Sequence, residues 1–474
     1  MATTLYWHDY ETFGLDTKRD RPAKFAGLRT DENLNPLDDP LVVHCKPVRD
    51  VLPSPDACLI NGITPQMMDA LGVPEPEFIA RIHVKLEQPS TCGVGYNSLR
   101  FDDEITRHAL YRNFYDPYAR EWKNGNSRWD IIDLVRMTYA LRPEGIQWPM
   151  REDGRPSFRL KDVAAANGIF HDPHDALSDV RATIAIARLI RERQRDIYDW
   201  LFQLRDRKIA KKQLNLDNHD PVLHTSSLYP LETGCTTLVM PLVCEPDNKN
   251  GILVYDLRQD PKPFMSLDEE SLRDCLFISA EELPEGKQKL PVKSVRINKC
   301  PALAPKSVLG VLDAERIAIN LDACDRHWKI LSTNEEFMRR VGKAYSNREF
   351  SSSGDVDLAL YEGFFHPEDI SLFADIRAAS PQELSHACYD FRDERLPELL
   401  FRYRARNWPE TLSVEETQRW EEFCYHRIHN GDERGSITLD HYYERIALLR
   451  DEHRGDADVQ RVLNALDEWG RKIA

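Results

Sequence analysis

Four carboxylates and one histidine, all within the first 179 of 474 residues, constrain this chain most: Asp9 and Glu11 in LYWHDYET, Asp102 in GYNSLRFDDE, and His174 and Asp179 in HDALSD. The run Leu5 to Tyr10 is apolar and aromatic, as in a buried strand. Carboxylates at the end of such a strand are costly unless a cation meets them. An oxygen-preferring ion such as Mg²⁺ takes carboxylates and water, and two such ions can clamp the attacking and leaving oxygens of a phosphate. A fold that gathers the five residues at one point would be suited to phosphodiester hydrolysis.

Asp9 and Glu11 are two apart, and the strand period of two puts both side chains on one face. Asp-x-Glu alone is a weak signal. The following Thr12-Phe13-Gly14 strengthens it, because a small residue there permits close approach. The second motif, Asn97-x-x-x-Phe101-Asp102, follows the strand-like Cys92 to Tyr96. Asp103 is the alternative ligand, and the spacing from Asn97 favours Asp102. In the third motif His174 stands at or before a helix start and Asp179 within the helix. An imidazole with a solution pKa near about 6.5 can take a proton from water at neutral pH. His8, His108 and His171 offer the same group, and a helix-start histidine is often only structural.

The length suggests about three domains. Residues 1–195 alternate strands and helices, with Ile131, Leu134, Val135 and Leu141 at near-helical spacing and an alanine-rich helix over 176–190. A basic stretch, Arg205 to Lys212, marks a boundary. The middle region, about 200 to 345, is expected to be mainly β: 236–243 and 252–257 flank a turn at 248–251, and 291–298 alternates Val and Ile. Ser351-Ser352-Ser353-Gly354 is expected to be a linker, and a helical part follows, with one stripe at Val459, Val462, Leu463, Leu466 and Trp469. The divisions are 1–195, 196–348 and 349–474.

With 63 Lys and Arg against 79 Asp and Glu, the formal charge is −16. That excludes indiscriminate binding of polyanions, so any nucleic-acid surface must be a local groove. Ten scattered cysteines form no metal or disulfide pattern. No run is long and apolar enough for a membrane span, and the start lacks a secretory pattern, so a cytoplasmic enzyme is expected.

In that order, the three motifs resemble those of the DEDD exonuclease superfamily, in the subclass with a histidine five residues before the last Asp. The segments HDYETFG, RPAKFAG, LINGITPQ, GYNSLRFDDE, YRNFYDPYA, NSRWD, LRPEGI and PSFRL, with INKCPAL, YEGFF and LLFRYRARN later on, extend the resemblance over nearly the whole chain. They are similar to the bacterial exodeoxyribonuclease I family. The resemblance implies an α/β RNase H-like exonuclease domain, an SH3-like β domain and an all-α C-terminal domain. It implies processive 3′→5′ hydrolysis of single-stranded DNA to 5′-mononucleotides, in DNA repair or recombination. Asp9, Glu11, Asp102 and Asp179 would hold two Mg²⁺ about 4 Å apart, with His174 as general base. Glu11 and Arg159 would contact the terminal nucleotide.

Unpaired DNA is held by cations along its backbone and aromatic faces under its bases. Residues 100–142 interleave the two kinds, and the resemblance favours Arg107, Tyr118, Trp122 and Arg136 as strand contacts. Arg207, Lys299 and Tyr361 are further candidates elsewhere. Arg402, Arg404 and Arg406 would line the strand or brace a domain interface. The resemblance also implies a pocket for the acidic C-terminal tail of single-stranded DNA-binding protein at Arg142, Trp200 and Lys306, although PKSVLG at 305–310 departs from the polar, basic pattern expected there. A monomer is expected. The alternatives are an RNA-trimming exonuclease of the same superfamily and a catalytically silent single-strand binding protein.

Overall fold

The computed structural model describes residues 3–279, 281–284, 286, 288–346, 353–430 and 437–474. Ser351 and Ser352 of the expected linker, and the division at 348/349, lie outside the described residues. The chain forms two compact units. The first comprises 1–127, 171–181 and 351–474, and the second 128–170 and 182–350.

In the first unit four strands run in the order β3-β2-β1-β4: β1 (Thr4–Thr12), β2 (Pro22–Thr30), β3 (Leu41–His44) and β4 (Thr91–Gly95). β1 pairs antiparallel with β2 and parallel with β4. β1 is buried at Leu5, Tyr6 and Trp7 and reaches its acids only at Asp9 and Glu11. This apolar run makes it a central strand and leaves the carboxylates at its end. The helices Glu75–Leu86 and Asp102–Arg112 cover the sheet, burying Phe78, Ile79, Ile82, Ile105 and Leu110 with Tyr6, Tyr10 and Phe25. Helices of the C-terminal part complete a second core, in which Phe13, Leu52, Cys58 and Met68 meet Tyr442, Leu463, Leu466 and Trp469.

The chain passes to the second unit within the short strand β5 (Ser127–Asp130). That unit contains an antiparallel sheet in the order β10-β6-β7-β8-β9, from β6 (Val222–Thr225), β7 (Thr236–Cys244), β8 (Gly251–Asp256), β9 (Val292–Arg296) and β10 (Ala302–Pro305). The expected hairpin is β7–β8, turning through 245–250. The mainly β character extends only to Pro305. Beyond it Leu321–Ser332 and Glu335–Tyr345 are helices, and Glu269–Phe277 is one before it. Phe337, Met338, Val341 and Ala344 repeat at three and four and are buried, which makes 335–345 an amphipathic helix.

Candidate active site

Asp9 and Glu11 project from one face of β1, and Asp179 comes from the first turn of the helix Ala176–Arg193. One carboxylate oxygen from each of the three lies within 4.8 Å of the other two. Asp102 begins the helix Asp102–Arg112, which follows β4 through a turn where Asn97 has φ 63°. Asn tolerates that left-handed geometry better than most residues. Asp102 Oδ1 accepts the Tyr10 N–H at 3.0 Å, so this fourth carboxylate is anchored to β1 between Asp9 and Glu11 in the chain. Asp103 points elsewhere: its Oδ1 accepts from Arg120 at 2.6 Å in a buried ion pair. Gly14, expected to admit a ligand, instead makes room for the Asp20 carboxylate, which a Cβ would meet at 2.0 Å.

The acids repel one another. Burial, followed by the charges of Asp102, Asp179 and Glu11, pushes Asp9 well above the usual carboxylate range. Burial and Asp179 push Glu11 up to about 8, against the lowering effect of Lys24. Burial also raises Asp179, against the His171 ring. Repulsion and desolvation disfavour the ionised form of these carboxylates, and a hard divalent cation offsets both by binding that ionised form, so the residues fit such an ion.

His174 and His171 occupy one turn ahead of the helix. His174 has φ 68°, its ring is exposed, and its N–H meets Asp179. His171 Nε2 is hydrogen-bonded to Asp179 Oδ1. The direct ring partner of Asp179 is therefore His171, which sequence reasoning noted only as one eligible histidine among several.

Of the strand candidates, Arg107, Tyr118, Trp122 and Tyr361 belong to the first unit and Arg136, Arg207 and Lys299 to the second. Arg107 lies 5.5 Å from the Tyr118 ring centroid and donates to Tyr361 Oη at 3.1 Å. Its guanidinium also holds Glu121 in a two-pronged pair at 2.7 and 2.9 Å and Glu104 at 2.7 Å. Sequence reasoning missed these acids, although Glu104 stands at the i−3 position that pairs on a helix. Trp122 is 63% exposed and Phe364, which sequence reasoning did not single out, is 85% exposed with its ring edge against Tyr118.

In the second unit Arg136 pairs with Asp133 at 2.7 Å, Arg207 donates to Asn250 at 3.3 Å, and Lys299 is exposed. Arg159 is exposed at the start of Leu160–Ala166 and lines an open 850 Å³ cavity with Arg151 and Ser157. Arg142 and Trp200 line a 490 Å³ cavity with Leu141, Arg195, Pro305 and Val308. Lys306 is bound to Asp325 and is not among the residues lining that cavity. Arg402 and Arg406 brace the first unit, bonding Asp357 at 2.8 and 2.5 Å, and Arg404 bonds Glu416 at 2.8 Å.

An "Exonuclease" family model matches residues 6–187, the stretch that carries all four of the site's carboxylates. Models of the "Exonuclease I SH3-like domain" and "Exonuclease I C-terminal domain" match 205–347 and 354–473. The chain is 42% identical over 475 residues to the exodeoxyribonuclease I of Escherichia coli K12, covering 100% of this chain and 98% of that one. It is similar to the solved exonuclease I of Methylocaldum szegediense, at 49% identity, TM-score 0.96 and full coverage of both chains. The E. coli exonuclease I complex with a dA16 oligonucleotide matches at 42% identity and TM-score 0.95, again over both whole chains. At 41% identity and full coverage of both chains, a zinc-bound E. coli exonuclease I–ssDNA complex (TM-score 0.95) and an SSB/exonuclease I structure with the inhibitor CFAM (TM-score 0.93) also match. The chain belongs to the exodeoxyribonuclease I family, hydrolytic nucleases with an exonuclease domain, an SH3-like domain and a helical C-terminal domain.

Proposed function

We propose that this nuclease hydrolyses single-stranded DNA processively from its 3′ end, releasing 5′-mononucleotides in a Mg²⁺-dependent reaction that serves DNA repair or recombination. The observation that carries the reading is the gathering of Asp9, Glu11 and Asp179 oxygens within 4.8 Å. Asp102, held on Tyr10, completes the ligand set for two Mg²⁺. When bound, the ions supply Lewis-acid charge to the phosphate oxygens and the attacking water. His174 accepts the proton of that water at a ring nitrogen, for which its exposed position on a left-handed turn suits it. Glu11 orients the terminal nucleotide and Arg159 takes its phosphate, a task suited to a planar guanidinium.

Tyr118, Trp122, Phe364 and Tyr361 offer ring faces to unpaired bases, and Arg107 steadies them through Tyr118 and Tyr361. Arg136, Arg207 and Lys299 take phosphates. The acidic tail of single-stranded DNA-binding protein occupies the cavity at Arg142 and Trp200, without Lys306. The enzyme acts as a cytoplasmic monomer; among the described residues no helix is long and apolar enough to cross a membrane.

The test is a 5′-labelled oligonucleotide, DNA or RNA, incubated with Mg²⁺ or EDTA and with wild type or Asp179→Ala. The expected result is Mg²⁺-dependent shortening of DNA from the 3′ end by wild type only. Cutting that persists in Asp179→Ala removes the site, and a preference for RNA removes the DNA reading.

A further inference from the structure

Lys24 stands opposite Glu11 on the β1–β2 ladder and opposite His44 on the β2–β3 ladder. Directly opposed residues share a sheet face, so the Lys24 side chain emerges beside Glu11 and Asp9. It is 17% exposed, and its Nζ donates to Asp175 Oδ2 at 2.5 Å. Asp175 is the junction of the histidine turn. Its other oxygen accepts the Ser178 N–H at 3.0 Å, its carbonyl accepts the Asp179 N–H at 2.9 Å, and it directly follows His174.

The other hydrogen bonds of residues 171–175 remain inside their own segment. Asp172 N–H donates to Ser178 Oγ, Asp175 N–H to the Asp172 carbonyl, and the His171 ring and His174 N–H meet Asp179. Among the described residues, Lys24–Asp175 is the one hydrogen bond that ties this turn to the sheet. Asp175 also carries charge felt by Asp9 and Glu11, and the ammonium keeps it engaged outside their set.

We propose that Lys24 is a positioning residue of the hydrolase: through Asp175 it latches the turn carrying His174 to β2, the strand paired with the one that carries Asp9 and Glu11. The inference rests on the site proposed above. A charge-assisted bond between the two elements fixes their separation more firmly than a neutral contact would. Misplacing a catalytic group by about 1 Å can cost about a hundredfold in rate. Lys24 therefore acts on the chemical step and leaves substrate binding alone.

The full chain tests it, with Lys24→Met, Lys24→Arg and Asp175→Asn compared to wild type on a labelled oligodeoxynucleotide with Mg²⁺. Amide hydrogen exchange over 171–178 is followed in EDTA without DNA. Lys24→Met is expected to lower kcat about tenfold or more, with KM changed less than about threefold and faster exchange over 171–175. Lys24→Arg restores both to within about threefold, and Asp175→Asn, which keeps an acceptor for Ser178, behaves like Lys24→Met. Wild-type kcat and exchange in Lys24→Met, or a change in KM alone, overturns the latch. A wild type that leaves DNA intact overturns the functional reading instead, and the exchange comparison still decides whether the latch exists.

Discussion

At Asp102 and Asp103 one peptide bond separates two carboxylates with different surroundings. The first accepts the N–H of Tyr10, between Asp9 and Glu11, and the second is consumed by buried Arg120. Asp103→Asn removes the charge that neutralises the buried Arg120 guanidinium at 2.6 Å, with Glu121 farther off at 4.0 Å, so urea unfolding should show a loss of about 3–5 kcal/mol with divalent-ion binding retained. Asp102→Asn keeps an acceptor for Tyr10 and relieves repulsion on Asp9. It should abolish cleavage while leaving stability within about 1 kcal/mol. The reverse pattern would exchange the two roles. The sequence left this pair open because which of two adjacent acids faces a strand depends on how the helix docks, and that is a tertiary fact.

The same scale sets a pH dependence. Burial lowers the His108 ring from its ordinary value to about 3, and both its nitrogens are buried without a partner. A folded-state pKa below the unfolded one means that the unfolded chain binds the extra proton. The stability is thus full above about pH 6.5 and is lost as pH falls toward the folded value. Comparing wild type with His108→Gln isolates this group from the active-site acids. Between pH 6.5 and 4.5 wild type should lose about 2–3 kcal/mol more than the variant. Equal urea midpoints across that range would show that His108 is not held neutral.

At the scale of elements, Arg-Tyr-Arg-Ala-Arg at 402–406 shows what the helical period settles and an alternating pattern does not. On Arg395–Asn407, residues four apart share a face. Arg402 and Arg406 therefore both reach Asp357, with Arg406 also on Asp50 at 2.8 Å, while Arg404 turns to Glu416. Against burial, which pushes it up, Arg406 and Arg402 hold Asp357 well below the usual carboxylate range. Arg406→Met leaves two buried carboxylates short of a partner and should cost about 3–5 kcal/mol in urea unfolding. Arg404→Met breaks a single pair whose carboxylate, on Glu416, is 31% exposed and can turn to water, and should cost less, about 1 kcal/mol. Equal losses would mean that the buried network is not the brace. β1 and the helix over 176–193 were legible because their apolar patterns match their periods. β2, PAKFAGLRT, was not read as a strand because its burial on both faces leaves no alternation to read.

At the scale of the whole molecule, the linear three-part order matches the family models, but compactness follows a different division, with 353–474 folded together with 3–127 in one unit. No local pattern announces this, because Phe13, Leu52, Cys58 and Met68 look like residues of an ordinary N-terminal core until Tyr442, Leu463 and Trp469 close over them. The C-terminal part also supplies Leu360, Phe373 and Leu399 to the core of Tyr111, on the helix that starts at Asp102, and of Phe114, just past the end of that helix. Removing residues 351–474 would uncover both surfaces and the carboxylates Asp50 and Glu75 that Arg406 and Arg427 help neutralise. Exposed aromatic and aliphatic area costs about 25 cal/mol per Å², so losing several large side chains' worth exceeds the margin of an ordinary domain. In a chain ending at residue 350, residues 3–127 should show no cooperative unfolding transition and should be cut rapidly by protease. Adding the separate 351–474 segment should slow that cutting. A truncated chain in which 3–127 melts cooperatively at the wild-type midpoint would show that the N-terminal core closes without the C-terminal helices.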